Sequence, residues 1–108
     1  MYVRIFDITN NEVFTLYPNK AGDKYSDNMH QLFEKDSLYK FPQHPKFIYR
    51  YNLDENVQQE EHTLLIVCLK EDVPYTVTSE NHDELFNWIF RIPPDQRLVK
   101  SMSYSVVK

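Results

Sequence analysis

Alternation of apolar and polar residues is clearest at the start of the chain. Residues 2–8 and 12–17 alternate on either side of Asn10-Asn11, and asparagine tolerates the positive φ angles of a tight hairpin turn. A two-residue loop at this point fixes the register of the two predicted strands. It places Ile5 opposite Leu16 and Asp7 opposite Phe14, so that Val3, Ile5, Phe14 and Leu16 share one core face.

The second face of this hairpin is also rich in apolar residues. It carries Tyr2, Arg4, Phe6, Val13, Thr15 and Tyr17. One interpretation is that a helix covers this face as a second core layer. The alternative is an exposed platform for single-stranded nucleic acid, because aromatic rings stack on bases and cations follow the phosphates. The four residues of that alternative site are Tyr2, Arg4, Phe6 and Tyr17, although no basic run or RNP-type signature accompanies them.

The middle of the chain predicts one helix and three strands. Four apolar residues at helical spacing predict a helix over about 26–36. They are Tyr25, Met29, Leu32 and Phe33. Strands are predicted over 46–53, 62–70 and 73–78, and we expect them to form an antiparallel meander. The segment 62–70 is apolar on both faces, which is typical of a central strand covered from both sides.

The last third of the chain predicts a second helix and a final strand. Ser79 begins the helix as its N-cap, and the helix ends at about Arg91, before Pro93-Pro94. Residues 97–107 alternate and predict a strand near a sheet edge. The element order ββαβββαβ indicates an α+β fold with a single mixed or mostly antiparallel sheet and two helices. We expect residues 1–108 to form one domain.

The second helix is apolar around most of its circumference. Leu85, Trp88, Ile89 and Ile92 form an ordinary core stripe, and Phe86 and Phe90 lie one turn apart on an adjoining flank. Such a helix either makes a broad core contact or has a partner on its outer side. The predicted partner-binding residues on this helix are Phe86, Phe90 and Trp88, because aromatic residues are enriched at interfaces.

Acidic residues cluster near one predicted loop. The chain has 16 acidic and 12 basic residues, and Asp54, Glu55, Glu60 and Glu61 surround a stretch without a base. The simplest interpretation is a solvated hairpin end that also discourages edge aggregation. The functional interpretation is docking onto a basic partner, in its sharpest form a phosphate-mimicking inhibitor of a nucleic-acid-processing protein.

The sequence contains few residues that suggest catalysis. A single glycine, Gly22, excludes the Gly-rich phosphate loops and the G-x-S-x-G nucleophile elbow. His30 and Glu34 are one turn apart, but no spacing motif supplies the remaining metal ligands. Cys68 is the only cysteine and lies in the most apolar predicted strand, where a thiol is usually inert. We therefore expect no enzymatic activity, no cofactor and no metal, and a reducing, cytoplasmic location.

Together these patterns favour a non-enzymatic protein-interaction module. In composition alone the chain is similar to small acidic inhibitors and accessory factors encoded by mobile genetic elements, although no motif supports a family. The alternatives are the single-stranded nucleic-acid binder described above, a structural subunit of a larger complex, and a homodimer whose final strands pair edge to edge. We expect neither membrane binding nor, from the net charge of −4, general attraction to nucleic acid.

Overall fold

The structure is a computed structural model that describes residues 1–10, 12–18, 30–34, 37–39, 41, 51–74 and 82–108. Within these ranges the chain forms four β-strands, one α-helix and a short 3-10 helix at Pro94–Gln96. The strands are β1 (Tyr2–Ile8), β2 (Val13–Tyr17), β3 (Gln59–Leu69) and β4 (Arg97–Val107), and the helix is α1 (His82–Arg91). A sheet accompanied by a helix confirms the α+β class.

All four strands belong to one antiparallel sheet with the order β2-β1-β3-β4. The predicted central strand is confirmed, since β3 lies between β1 and β4. The final strand is also confirmed, and within the described residues β4 is an outer strand of the sheet. Helix α1 ends at Arg91, as predicted, because Pro93 and Pro94 cannot continue it.

The predicted hairpin register is correct near the turn and wrong farther from it. Asp7 lies opposite Phe14, but Ile5 lies opposite Tyr17 instead of Leu16. Leu16 is the extra residue of a β-bulge, and one extra residue reverses the faces to which the following side chains point. Tyr17 consequently moves to the face that carries Val3 and Ile5.

Helix α1 covers one face of the sheet, which we call the helix face. Its buried residues Leu85, Trp88 and Ile89, followed by Ile92, pack against sheet residues from three strands. These are Phe6, Val13, Leu65, Val67 and Leu69. The prediction that a helix covers this side of the first hairpin is confirmed.

The opposite face of the sheet is covered at one end by Phe33 and Phe41. Phe33 is buried with Val3, Ile5 and Tyr17, and Phe41 packs against this cluster. Two backbone hydrogen bonds fix Phe33 to the first residue of the chain: Phe33 N donates to Met1 O (2.7 Å), and the Met1 amine donates to Phe33 O (2.6 Å).

The predicted helix over 26–36 is not found where the structure describes this range, because residues 31–34 form no helix. The pairing with Met1 holds this stretch along the sheet instead. Residues 51–53 and 73–74 likewise lie outside any strand. The remainder of the predicted elements at 26–36, 46–53 and 73–78, and the predicted cap Ser79, lie outside the described residues.

Candidate protein-binding site

Helix α1 positions the aromatic flank, which consists of Phe86 and Phe90. The core side of the helix is complete without them, since Leu85, Trp88 and Ile89 are all buried. Phe86 is 37% exposed and Phe90 is 70% exposed. The two rings are stacked, with centroids 6.5 Å apart and an interplanar angle of 30°. An ordered apolar surface therefore faces outward from the helix.

Arg97, the first residue of β4, contacts both the C-terminal end of α1 and the Phe90 ring of the aromatic flank. Its Nη1 donates hydrogen bonds to Ile89 O (2.7 Å) and Ile92 O (2.5 Å), which are carbonyl groups at the C-terminal end of α1. Its guanidinium carbon lies 5.4 Å from the centre of the Phe90 ring, within the range of a cation–π contact. Sequence reasoning missed this role of Arg97, because it depends on the turn that brings β4 back under the helix.

Trp88 was predicted to bind a partner, and the structure places it in the interior instead. It is 6% exposed, and its ring meets that of Phe6 edge to face with centroids 6.1 Å apart. Its indole Nε1 donates a hydrogen bond to Pro74 O (2.9 Å). Trp88 thus anchors α1 to the sheet, and the aromatic flank is reduced to the two phenylalanines.

The acidic residues of the segment 54–61 do not form one cluster. Asp54 and Glu55 are exposed and precede β3, whereas Glu60 and Glu61 lie on β3 and point to opposite faces of the sheet. Glu61 accepts hydrogen bonds from Ser105 Oγ (2.5 Å) and Gln59 Nε2 (3.0 Å), and the pKa of its carboxyl is lowered, first by Ser105.

A basic side chain reaches the same segment from the end of the chain. Lys108 Nζ donates hydrogen bonds to the backbone carbonyl groups of Asp54 and Glu55. The segment 54–61 therefore contains no basic residue in the sequence, but the fold brings Lys108 next to it. Its outward-facing carboxylates are Asp54, Glu55 and Glu61, because Glu60 belongs to the network described next.

Glu60 accepts hydrogen bonds from Tyr51 and His62 in a buried polar network on the face of the sheet opposite α1. His62 is 1% exposed and Asp7 is 4% exposed. His62 Nδ1 lies 2.8 Å from Asp7 Oδ2, and His62 Nε2 lies 2.8 Å from Glu60 Oε1. Both ring nitrogens are therefore engaged, and neither is available to a substrate as a general base in this arrangement.

Two tyrosines complete this network. The Tyr51 hydroxyl donates to Glu60 Oε1 (2.6 Å), and this bond is the main cause that raises the pKa of Tyr51 to about 12. The Tyr104 hydroxyl donates to Asp7 Oδ1 (2.7 Å), and its pKa is raised first by burial and then by this bond. The network joins β1, β3 and β4, so its arrangement indicates a structural role.

The alternative nucleic-acid site does not form an exposed platform. Arg4 and Phe6 are buried on the helix face, and Tyr2 packs against the same core. Tyr17 is buried on the opposite face because of the β-bulge. Three of these side chains therefore lie on the helix face and one lies on the opposite face of the sheet. Bases could stack on the residues of the helix face only if α1 left the sheet.

A cleft of about 260 Å³ lies beside the N-terminal end of α1. Most of its walls are polar, and the lining residues are Ile8, Thr9, Asn10, Glu61, His62, Thr63, His82 and Ser103. Its volume is slightly below the range of about 300–1,000 Å³ that is usual for ligand pockets, which are mainly apolar. This cleft is therefore smaller and more polar than a usual small-molecule pocket.

Two further features are a metal-ligand cluster and a membrane-spanning helix, and the described residues contain neither. Among the described residues, no group of three or more histidine, cysteine, aspartate or glutamate side chains is arranged to hold a metal ion. In the same ranges, no helix combines the length and the apolar character needed to cross a membrane. No protein-family model matches the chain, and no curated protein or solved structure is significantly similar to it.

Proposed function

We propose that this chain is a non-enzymatic protein-interaction module that binds another protein through the aromatic flank of α1. The observation that carries the proposal is the 70% exposure of Phe90 on a helix whose core side is already filled. Phe90 contributes little to the monomer's core at this position. Burial of a phenylalanine side chain against a partner is worth about 1.5–3 kcal/mol.

The aromatic flank is also held in place before binding. Phe86 and Phe90 stack on one another, and Arg97 fixes both the Phe90 ring and the end of the helix. Immobilising a flexible side chain on binding costs about 0.5–1.5 kcal/mol. Rings that are already fixed avoid much of this cost. Rigid, well-packed aromatic residues of this kind often dominate the affinity of an interface.

The finer hypothesis is that the partner has a basic surface and that the chain inhibits or assists it. Its support is the net charge of −4 and the exposed side chains of Asp54, Glu55 and Glu61. Charge reversal at Asp54 and Glu55 tests it. Glu60 is unsuitable for this test because its carboxylate bonds to His62 in the interior.

The test of the proposed function compares the wild-type chain with a Phe86→Ser/Phe90→Ser variant. Tagged proteins are used to recover partners from lysate of the source organism, with and without nuclease, and the bound proteins are identified by mass spectrometry. The matched control is Asn87→Ser, which changes an exposed residue of the same helix outside the aromatic flank. Circular dichroism and thermal unfolding establish that every variant is folded.

We expect a stoichiometric protein that is recovered with the wild type and the control, is lost with the double variant, and survives nuclease. Equal recovery with the double variant would show that α1 does not bind the partner. Recovery that disappears with nuclease would favour the nucleic-acid alternative over a direct protein contact.

A further inference from the structure

Strand β4 has the features of a strand that pairs with another chain. It contains eleven residues, and nine of them are exposed. Large apolar side chains among the exposed residues are Leu98, Val99, Met102, Tyr104 and Val107. Outer strands that avoid association usually carry several charges, a proline or a covering segment. Between Leu98 and Val107, Lys100 is the only charged residue, and there is no proline.

We propose that β4 pairs antiparallel with β4 of a second copy of this chain, about a two-fold axis at Met102. The resulting dimer would have one continuous sheet of both copies. This inference concerns a different surface from the aromatic flank and does not depend on the proposed function.

The sequence of β4 is complementary to itself about Met102. In this register, Ser101 lies opposite Ser103 and Leu98 lies opposite Val106 of the second copy. Larger side chains therefore meet on the face that carries Met102. On the other face two serines meet beside the axis, and farther out Val99 lies opposite Ser105 and Arg97 opposite Val107. A symmetric pair of this kind requires a self-complementary surface, which the strand provides without any change of register.

The charges of β4 are also compatible with this register. Lys100 lies opposite Tyr104 of the second copy, and Arg97 lies opposite Val107, so no two cations face each other. Like charges directly opposite one another destabilise a strand pair, whereas a cation beside an aromatic ring is favourable. A register centred on residue 100 would instead place the two Lys100 side chains opposite each other.

The neighbouring strand extends the apolar surface that the pairing would enlarge. Cys68 pairs with Leu98, and Leu64 pairs with Met102, on the face opposite α1. In the dimer, the two Met102 side chains would lie side by side on this face, and each Leu98 would lie beside Val106 of the other copy. The pairing therefore joins two partly exposed apolar areas. It also gives partners to backbone groups along the outer edge of β4, beside which the described part of the chain places no other strand.

A charge exchange at residue 102 tests the proposal, because only a two-fold pair centred on Met102 places this residue opposite itself. Mass is measured by sedimentation equilibrium over a range of concentrations for the wild type, for Met102→Glu, for Met102→Lys and for an equimolar mixture of the two variants. Met102 is 59% exposed, so we expect both variants to fold. The control is Phe90→Glu, which places the same charge on the aromatic flank.

We expect the wild type and Phe90→Glu to approach twice the chain mass of 13.1 kDa as concentration rises. Each charged variant alone should dissociate at least tenfold more readily, and the mixture should regain the dimer. A wild type that stays monomeric at all concentrations would overturn the proposal. So would a dimer that survives Met102→Glu or is lost with Phe90→Glu.

Disulfide formation provides a second measurement that does not rely on charge. In a Cys68→Ser background, Met102→Cys should oxidise rapidly to a covalent dimer, because opposite residues have Cα atoms about 5.5 Å apart. Ser105→Cys is the control, since the two copies of residue 105 would lie about 20 Å apart along the strands. Equal oxidation of the two variants would contradict the register.

Discussion

His62 Nδ1 on β3 and Asp7 Oδ2 on β1 lie 2.8 Å apart in the interior, although 55 residues separate them in the sequence. The other ring nitrogen of His62 is hydrogen-bonded to Glu60, and the Tyr104 hydroxyl donates to the second oxygen of Asp7. Buried polar groups cost free energy unless they are hydrogen-bonded, and here each group has a partner. The network therefore fixes how three strands align at this end of the sheet.

The first prediction concerns the removal of one charge from this network. Asp7→Asn preserves the size of the side chain but not the carboxylate that serves His62 and Tyr104. We expect the free energy of unfolding to fall by about 3 kcal/mol, because breaking a buried pair leaves the other group uncompensated. The control, Tyr104→Phe, removes one hydrogen bond and should cost about 1 kcal/mol. Denaturant unfolding that gives the two variants equal, small losses would contradict a central role for Asp7.

The outer strand, the central strand and the helix could be predicted because each has a local pattern. Alternation over 97–107, an apolar run over 62–70 and the Pro93-Pro94 stop are all visible in a short window. The β-bulge at Leu16 was not predictable in this way. It allows Tyr17 to pack against Phe33 and Phe41 and to donate a hydrogen bond to Gln31, contacts that come from a distant segment.

The candidate site could likewise be predicted only where its signal is local in the sequence. The helical spacing of Phe86 and Phe90 on a flank beside the core stripe is a local property. Whether Trp88 lies in that core depends on Phe6 and Pro74, which meet it only in the folded chain. Likewise, the separation of Glu60 from Glu61 follows from the start of β3 at Gln59, before both residues.

The second prediction separates the core residues of α1 from the aromatic flank. Trp88→Ala should lower the free energy of unfolding by about 3–5 kcal/mol, because it opens a cavity beside Phe6. Phe90→Ala should cost about 1 kcal/mol or less, since Phe90 is 70% exposed and its contacts with Phe86 and Arg97 lie at the surface. Denaturant unfolding of both variants under the same conditions measures the difference. A large loss for Phe90→Ala would instead make this residue part of the core.

The third prediction concerns alkaline pH. Tyr51 has its pKa raised to about 12, mainly by its bond to Glu60, while tyrosine in an unfolded chain ionises near pH 10. A raised pKa stabilises the fold fully below about pH 10 and loses this contribution as pH rises toward the folded value. The wild type should therefore lose stability above about pH 10, and Tyr51→Phe should show a shallower loss. Parallel curves of unfolding free energy against pH would contradict the role of this bond.

The fourth prediction concerns acidic pH and the contact between Arg4 and Asp72. Arg4 Nη2 lies 3.1 Å from Asp72 Oδ1, and its side chain is only 2% exposed. His30 bonds to the other oxygen of Asp72 and is the main cause that lowers the pKa of this carboxyl, followed by Arg4. Among the described residues, the Asp72 carboxylate is thus the negative charge paired with this buried guanidinium.

A lowered carboxyl pKa has a definite sign in the stability curve. Its contribution is present above the unfolded value of about 3.9 and is lost as pH falls through the lower folded value. Asp72→Asn should cost about 1–3 kcal/mol at neutral pH and should then lose less stability than the wild type on acidification. Glu71→Gln, at an exposed neighbouring position, is the control and should follow the wild type within about 0.5 kcal/mol at neutral pH. Unfolding free energies measured from about pH 7 to pH 3 decide the matter, because an Asp72→Asn curve parallel to that of the wild type would mean that this carboxylate does not stabilise the buried Arg4.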